Sequence, residues 1–251
     1  MKTLEEILQL FDPITLKEMD KVKLQDRVDT KFMLREDILP LILENMKEDY
    51  FALDINGMRY NHYETLYFDT DKFDLYIRHH NGKVNRFKFR ARKYVESNLH
   101  FFEVKFKNNK GRTIKDRIKR PQIDPTICDA TDELVRNISN VDPGTLKPKL
   151  WVNYRRMTFV SKHTEERLTI DTKLTFVDEK QTIPLQTLVI AEVKRGSIRE
   201  KSNFVQLMKQ YRVKERSISK YCLGVISLNS TIKQNNFKST ILYLQKLLKA
   251  S

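Results

Sequence analysis

The sequence is poor in the parts from which most phosphate and metal sites are built. Of its 251 residues only six are glycine, and none falls into GxxxxGK or GxGxxG spacing. A phosphate cradle of loop amides is therefore excluded, and any grip on phosphate has to come from side chains. There are only two cysteines, Cys128 and Cys222, far apart and outside CxxC spacing. That excludes a thiolate metal site and reads as two reduced thiols of a cytoplasmic protein. No apolar run approaches the length that crosses a bilayer, and "MKTLEEILQLFDP" carries acids where a leader peptide would be apolar. No transmembrane segment or export is expected. No Ser-His-Asp or Cys-His arrangement for covalent catalysis stands out.

Acids are scarce as well. There are 33 of them against 47 lysines and arginines, a formal net charge of +14. Such a balance implies a polyanionic partner: nucleic acid, an anionic membrane or a phosphate-rich small molecule. With 10% aromatic and 32% charged residues, the composition suits a folded domain rather than a disordered tail.

What is present is a series of strand-like runs with basic faces. In "RFKFRARKY" the basic residues are Arg86, Lys88, Arg90 and Arg92, alternating with Phe87, Phe89 and Ala91. Period two puts all four cations on one side of a strand. Like charges about 6–7 Å apart repel by about 0.6 kcal/mol per pair in water and by more where water is excluded. "RVDTKFML", "YETLYFDT", "KFDLYIRHH", "HFFEVKFK", "RTIKDRIKR", "LWVNYRRMTFVS", "ERLTIDTKLTF" and "LQTLVIAEVKR" also read as strands. Residues 3–11 and 35–50, "DELVRNI", "REKSNFVQLMKQYRV" and "FKSTILYLQKLLKA" read as helices, the last with Phe237, Ile241, Leu244 and Leu248 along one stripe. His79-His80 reads as a surface pair beside an Asn-Gly turn, and Asp69-Thr70-Asp71 as a turn rather than a metal motif.

The fold class expected is α+β, with eight or so antiparallel strands and flanking helices. Ten cations fall on the polar faces of the first half alone, with Arg156, Arg167, Lys173 and Lys194 following, and cross-strand neighbours of like charge destabilise an open sheet. A sheet closed into a barrel resolves this, with cations lining a lumen, apolar faces outward under helices and a long polyanion inside. The few inward acids, Asp29, Glu103, Asp171 and Glu192, include two that could hold Mn²⁺ or Mg²⁺ on that anion, Glu192 in "IAEVK" and Glu103 in "FEVKF". An empty lumen of this kind would store repulsion. Nucleic-acid binding is disfavoured because the aromatics mostly alternate onto the face opposite the cations, where they cannot stack on bases.

The ordered set "QDRVDTKFML", "YETLYFDTD", "FKFRARKY", "FFEVKFK" with "GRTIKDR", "NYRRMTF", "ERLTIDTKL", "LVIAEVKR" and "SISKYCLG" resembles the VTC-type polyphosphate polymerase domain of the triphosphate tunnel metalloenzyme (CYTH-like) superfamily. The likeness covers roughly residues 10 to 225 of one domain spanning 1–251, with a C-terminal helix over 235–250. It implies an eight-stranded antiparallel tunnel that binds ATP and inorganic polyphosphate and transfers the γ-phosphate onto a growing chain with a divalent metal. Under it, Lys31, Arg90, Arg92, Lys105 and Arg156 are expected to be catalytic. Arg27, Lys88, Lys115, Arg117, Arg167, Lys194, Ser219 and Lys220 are expected to hold phosphate, and Glu192, with Glu103, the metal. The sensor domain and membrane helices of eukaryotic members are missing, which suggests a stand-alone bacterial type and leaves open whether a membrane protein is a partner. The ExExK signature of tunnel triphosphatases is replaced by "RVDTK", which favours transfer over hydrolysis. The alternatives are a tunnel triphosphatase acting on ATP or tripolyphosphate and a non-catalytic binding module for polyphosphate or nucleic acid.

Overall fold

The structure is a computed structural model describing residues 2–20, 28–197, 199–217 and 219–249. Eleven strands form one sheet. They are β1 (Asp12–Ile14), β2 (Val28–Arg35), β3 (Tyr50–Leu53), β4 (Asn61–Asp69), β5 (Arg86–Tyr94), β6 (Leu99–Lys107), β7 (Thr113–Arg120), β8 (Lys147–Ser161), β9 (Glu166–Val177), β10 (Thr182–Leu185) and β11 (Leu188–Arg195). Eight of them run in the order β2-β11-β9-β8-β4-β5-β6-β7, with β3 beside β8, β1 beside β3 and β10 beside β9. Every neighbouring pair along that path is antiparallel.

The eight strands of that path and their antiparallel order agree with expectation, but the sheet is not closed into a barrel. β2 and β7 end the path without pairing with each other. The edge of β2 that closure would need is taken. The Arg216 N–H donates to the Lys31 carbonyl at 2.9 Å, and Glu215 bridges to Phe32. The sheet instead curls into a trough, so that Lys31 on β2, Lys105 and Lys107 on β6 and Thr113 on β7 line one cavity.

The helices are α1 (Leu4–Leu8), α2 (Leu16–Met19), α3 (Leu39–Met46), α4 (Asp74–His80), α5 (Asp129–Ile138), α6 (Asn203–Gln210), α7 (Lys220–Leu228) and α8 (Lys238–Lys249). The apolar face of β5 packs outward as expected, with Phe89 and Ala91 against Phe102, Val104 and Val135 of α5. α1, α3 and α6 cover the outer side chains of β2, β9 and β11, including Phe32, Leu168 and Ala191. Two helices depart from expectation. "KFDLYIRHH" is not a strand: buried Asp69 accepts the N–H groups of Leu75 and Tyr76, and the Thr70 hydroxyl accepts that of Asp74, which starts α4. α7 lies inside the trough, on Leu150 and Phe176. A Cβ on Gly224 would meet those side chains at 2.7 and 2.9 Å, so only glycine lets the helix approach this closely.

Candidate functional site

The concave face gathers nearly all the cations expected there. Strand register sets the arrangement, with Lys88 opposite Lys105, Lys105 opposite Lys115, and Arg90 opposite Glu103. On the far wall Arg156 faces Asp171, and Glu192 lies between Lys31 and Thr169. Arg27 lies outside the described residues.

Three carboxylates organise the deep part of the trough, each held by two cations. Glu103, fully buried, takes Arg90 through Nε at 2.6 Å and pairs with Lys115. Asp171, 1% exposed, takes the Arg156 fork at 2.6 and 2.8 Å and Lys220 Nζ at 2.5 Å. Glu192 pairs with Lys194 at 3.2 Å and Lys31 at 3.7 Å. Burial alone would raise all three carboxylates, but the surrounding cations win. Asp171 is held down at about 2, and Glu103 and Glu192 lie well below the ordinary range. The expected store of repulsion is therefore absent from the deep part, because Arg90 and Arg156 sit on buried acids. Glu103 has both oxygens engaged by cations, Arg90 on Oε2 and Lys115 on Oε1.

Aromatic rings share that face, which corrects the expectation that they turn away. Tyr63 and Tyr154 stack with centroids 5.3 Å apart, and the Arg156 guanidinium lies 5.1 and 5.2 Å from their centroids. Arg92 lies 5.5 Å from Tyr63 and donates to the Thr65 hydroxyl at 3.1 Å. Arg117 covers Phe101 at 4.5 Å. The tyrosine rings of the deep part are covered by each other and by guanidinium groups, so they offer no free platform for bases. Arg167 faces the same side at the far end, tied to the Met19 carbonyl at 2.8 Å.

Toward the other end the charges are left open. A cavity of about 240 Å³ is lined by Lys31, Arg86, Lys88, Lys105, Lys107, Ser219 and Arg216, with His79 and Asp29. Lys88 donates to Ser219 at 2.9 Å, and Ser219 also caps α7 by accepting the Cys222 N–H. Among the described residues no carboxylate lies within ion-pair distance of Arg86, Lys88, Lys105 or Lys107. Burial, with Arg90, Lys88 and Lys31 nearby, lowers Lys105 to about 7 even against the attraction of Glu192. His79 and His80 are not a surface pair: His80 is 3% exposed, and His79 Nδ1 lies 3.0 Å from Cys222 Sγ.

Sequence reasoning places Asp171 among the inward acids but gives it no role. Its signal is alternation, three residues on from Leu168 in "ERLTIDTKL". Tyr63 and Tyr67 are missed because nothing in the sequence marks which face of β4 turns inward, whereas Tyr154 lies two residues from Arg156 and period two puts it on the same face. Among the described residues no three acidic, histidine or cysteine side chains gather as a metal site. Glu192 alone, among lysines, fits a cation that arrives with phosphate oxygens as its other ligands.

The VTC domain profile matches residues 26–229. No curated protein matches the sequence. Among solved structures, a candidate adenylate cyclase from Bacillus halodurans superposes with a TM-score of 0.52 at 11% identity, over 77% of this chain and 94% of that one. One from Vibrio parahaemolyticus gives 0.48 at 15% identity, over 79% and 98%. A candidate adenylyl cyclase from Hippeastrum, described as having a dominant triphosphatase activity, gives 0.45 at 15%, over 80% and 96%. The first of these likenesses shows a shared fold, and none of them shows an activity.

Proposed function

The chain belongs to the VTC domain family, and from that premise we propose that it is a phosphotransferase moving the γ-phosphoryl group of ATP onto inorganic polyphosphate. The observation that supports this most is the convergence of cations from β2, β5, β6, β7, β8 and β11 on one concave face. In the reaction, the bond between the γ-phosphorus and its bridging oxygen breaks and ADP leaves with that electron pair. A terminal oxygen of the chain forms the new bond to phosphorus. That oxygen is already an anion, so the protein needs to supply position and positive charge rather than a base.

Guanidinium forks suit the equatorial oxygens of the transferred group, a role for Arg90, Arg92 and Arg156. Lys31, Lys105 and Lys115 neutralise charge from the neighbouring strands. Lys88, Ser219, Lys220, Lys194, Arg117 and Arg167 extend the grip along the trough. Glu192 is the carboxylate for Mn²⁺ or Mg²⁺, which when bound would screen charge shared between adjacent phosphates. A cation set among Lys31, Lys194 and Lys105 without an anion would be repelled, so metal and polyphosphate are expected to bind together.

The test is to incubate the purified protein with ATP and Mn²⁺ and resolve long-chain polyphosphate from free phosphate. Chains accumulating with ADP support transfer. Free phosphate alone would make water the acceptor and the protein a triphosphatase. Binding without turnover would make it a polyphosphate-binding module.

A further inference from the structure

Strand register lines up a row of inward side chains across four strands: Thr158 on β8, Thr169 on β9, Glu192 on β11 and Lys31 on β2. Glu192 therefore has two direct cross-strand neighbours. On one side is Lys31, which holds it now together with Lys194. On the other is Thr169, which is 5% exposed and whose hydroxyl has no hydrogen-bond partner among the described residues.

A buried hydroxyl without a partner is costly, and directly opposed side chains on one face have Cβ atoms about 4.5–5.5 Å apart, within reach of a carboxylate. A hydroxyl can rotate to donate, whereas Glu192 is well supplied with donors only while its lysines stay on it. A polyanion in the trough competes for those same two ammonium groups. Each lysine that turns to phosphate leaves the buried carboxylate short of a donor, at a cost to binding.

We propose that Thr169 is a positioning residue of this site, its hydroxyl being the alternate donor that Glu192 accepts when a polyphosphate draws Lys31 and Lys194 away. The inference rests on the polyphosphate reading of the trough. It explains why a threonine is left unpartnered beside the one carboxylate suited to a metal. Thr169 would keep Glu192 fixed in rotamer while its lysines serve the ligand.

The experiment compares the wild-type chain with Thr169→Val and Thr169→Ser by titration with tripolyphosphate in metal-free buffer, where no divalent cation can take the place of the lysines on Glu192, and by melting without ligand. Valine keeps the shape and the β-branch but removes the hydroxyl. Thr169→Val should bind tripolyphosphate about tenfold more weakly, the loss expected for one hydrogen bond to a charged group. Its ligand-free melting temperature should be unchanged or higher, because an unpartnered polar group has gone. Thr169→Ser should restore the affinity. Wild-type affinity in Thr169→Val would overturn the proposal, as would a lowered ligand-free melting temperature, which would assign the hydroxyl a purely structural role. A wild-type chain that fails to bind tripolyphosphate at all would overturn the polyphosphate reading and this inference together. Binding that is equal in wild type and Thr169→Val would remove only the inference.

Discussion

The deep part of the trough and its mouth are built from the same residue types and differ in what neutralises them. In the deep part, Arg90 with Lys115, Arg156 with Lys220 and Lys31 with Lys194 each share one carboxylate. At the mouth, Arg86, Lys88, Lys105 and Lys107 line a common cavity whose only acids among the described residues are Asp29 and Glu215. A buried cation that has a carboxylate is part of the fold, and removing it leaves a buried anion behind. A cation without one adds repulsion to the empty protein and attraction to a polyanion. One half of the trough therefore has its charge balanced from within, and the other half is completed by a ligand.

The sharpest way to break this comparison is to delete one cation from each half. Arg156→Ala leaves Asp171, 1% exposed, with Lys220 as its remaining partner. Loss of one member of a buried pair costs about 3–5 kcal/mol, and the lower end applies with Lys220 still present. For a chain of this size that is a fall in melting temperature of roughly 6–12 °C, read by calorimetry or circular dichroism. The store of repulsion expected from sequence does not extend to Arg90 and Arg156, because their partners are buried acids. An Arg156→Ala melt equal to wild type would show that the deep pairs contribute nothing to folding.

Next in size is the response to ligand. A polyanion that binds only the folded state stabilises it by RT ln(1 + [L]/Kd), about 2.7 kcal/mol at a hundredfold excess, or roughly 5–10 °C. Tripolyphosphate should reach this at low concentration and orthophosphate should not, because only a chain spans several cations at once. Duplex DNA should give a smaller shift that salt removes, since a double helix does not fit within the curl of the sheet. A larger shift with DNA than with tripolyphosphate, at matched phosphate and salt, would favour a nucleic-acid partner.

A smaller effect on stability is expected at the mouth. Lys105→Ala with Lys107→Ala removes two charges that have no carboxylate partner among the described residues, so the ligand-free melting temperature should stay level or rise slightly. Affinity for tripolyphosphate should fall about tenfold for each ammonium group that grips phosphate. A double variant that melts as low as Arg156→Ala would erase the distinction between the two halves.

Much of this was legible because a β-strand exposes its pattern directly. The alternation in "RFKFRARKY" marks both the strand and its basic face, and β5 runs over Arg86–Tyr94. "KFDLYIRHH" misleads for the same reason: Phe73, Leu75 and Ile77 alternate, yet Asp69 and Thr70 cap the backbone that follows into α4. α7 was hidden behind Gly224 and β-branched neighbours, which lower helix propensity, while packing on Leu150 and Phe176 decides the matter. The pairing of Asp171 with Arg156 and Lys220 was not legible at all. It depends on which strands become neighbours and in which register, and sequence spacing records neither.

Lys105 is where the two halves meet, and its titration sharpens the comparison most finely. Burial, helped by Arg90, Lys88 and Lys31, lowers it from the ordinary 10.5 to about 7. Between those values the unfolded chain holds a proton at this site that the folded chain does not, so this group makes stability rise with pH across the window from about 7 to about 10.5. A polyanion favours the charged form, and binding must therefore return the proton. Affinity should be full below about pH 7 and decline above it, by at most about tenfold per pH unit for one proton taken up. Lys105→Arg stays charged throughout and should flatten that decline while keeping affinity at about pH 6.5. The two slopes have opposite signs, one for folding and one for binding, and a single titration series with and without tripolyphosphate reads both. If tripolyphosphate affinity is level from about pH 6.5 to about pH 9, Lys105 does not change charge on binding, and the mouth is as fixed in its ionisation as the deep pairs.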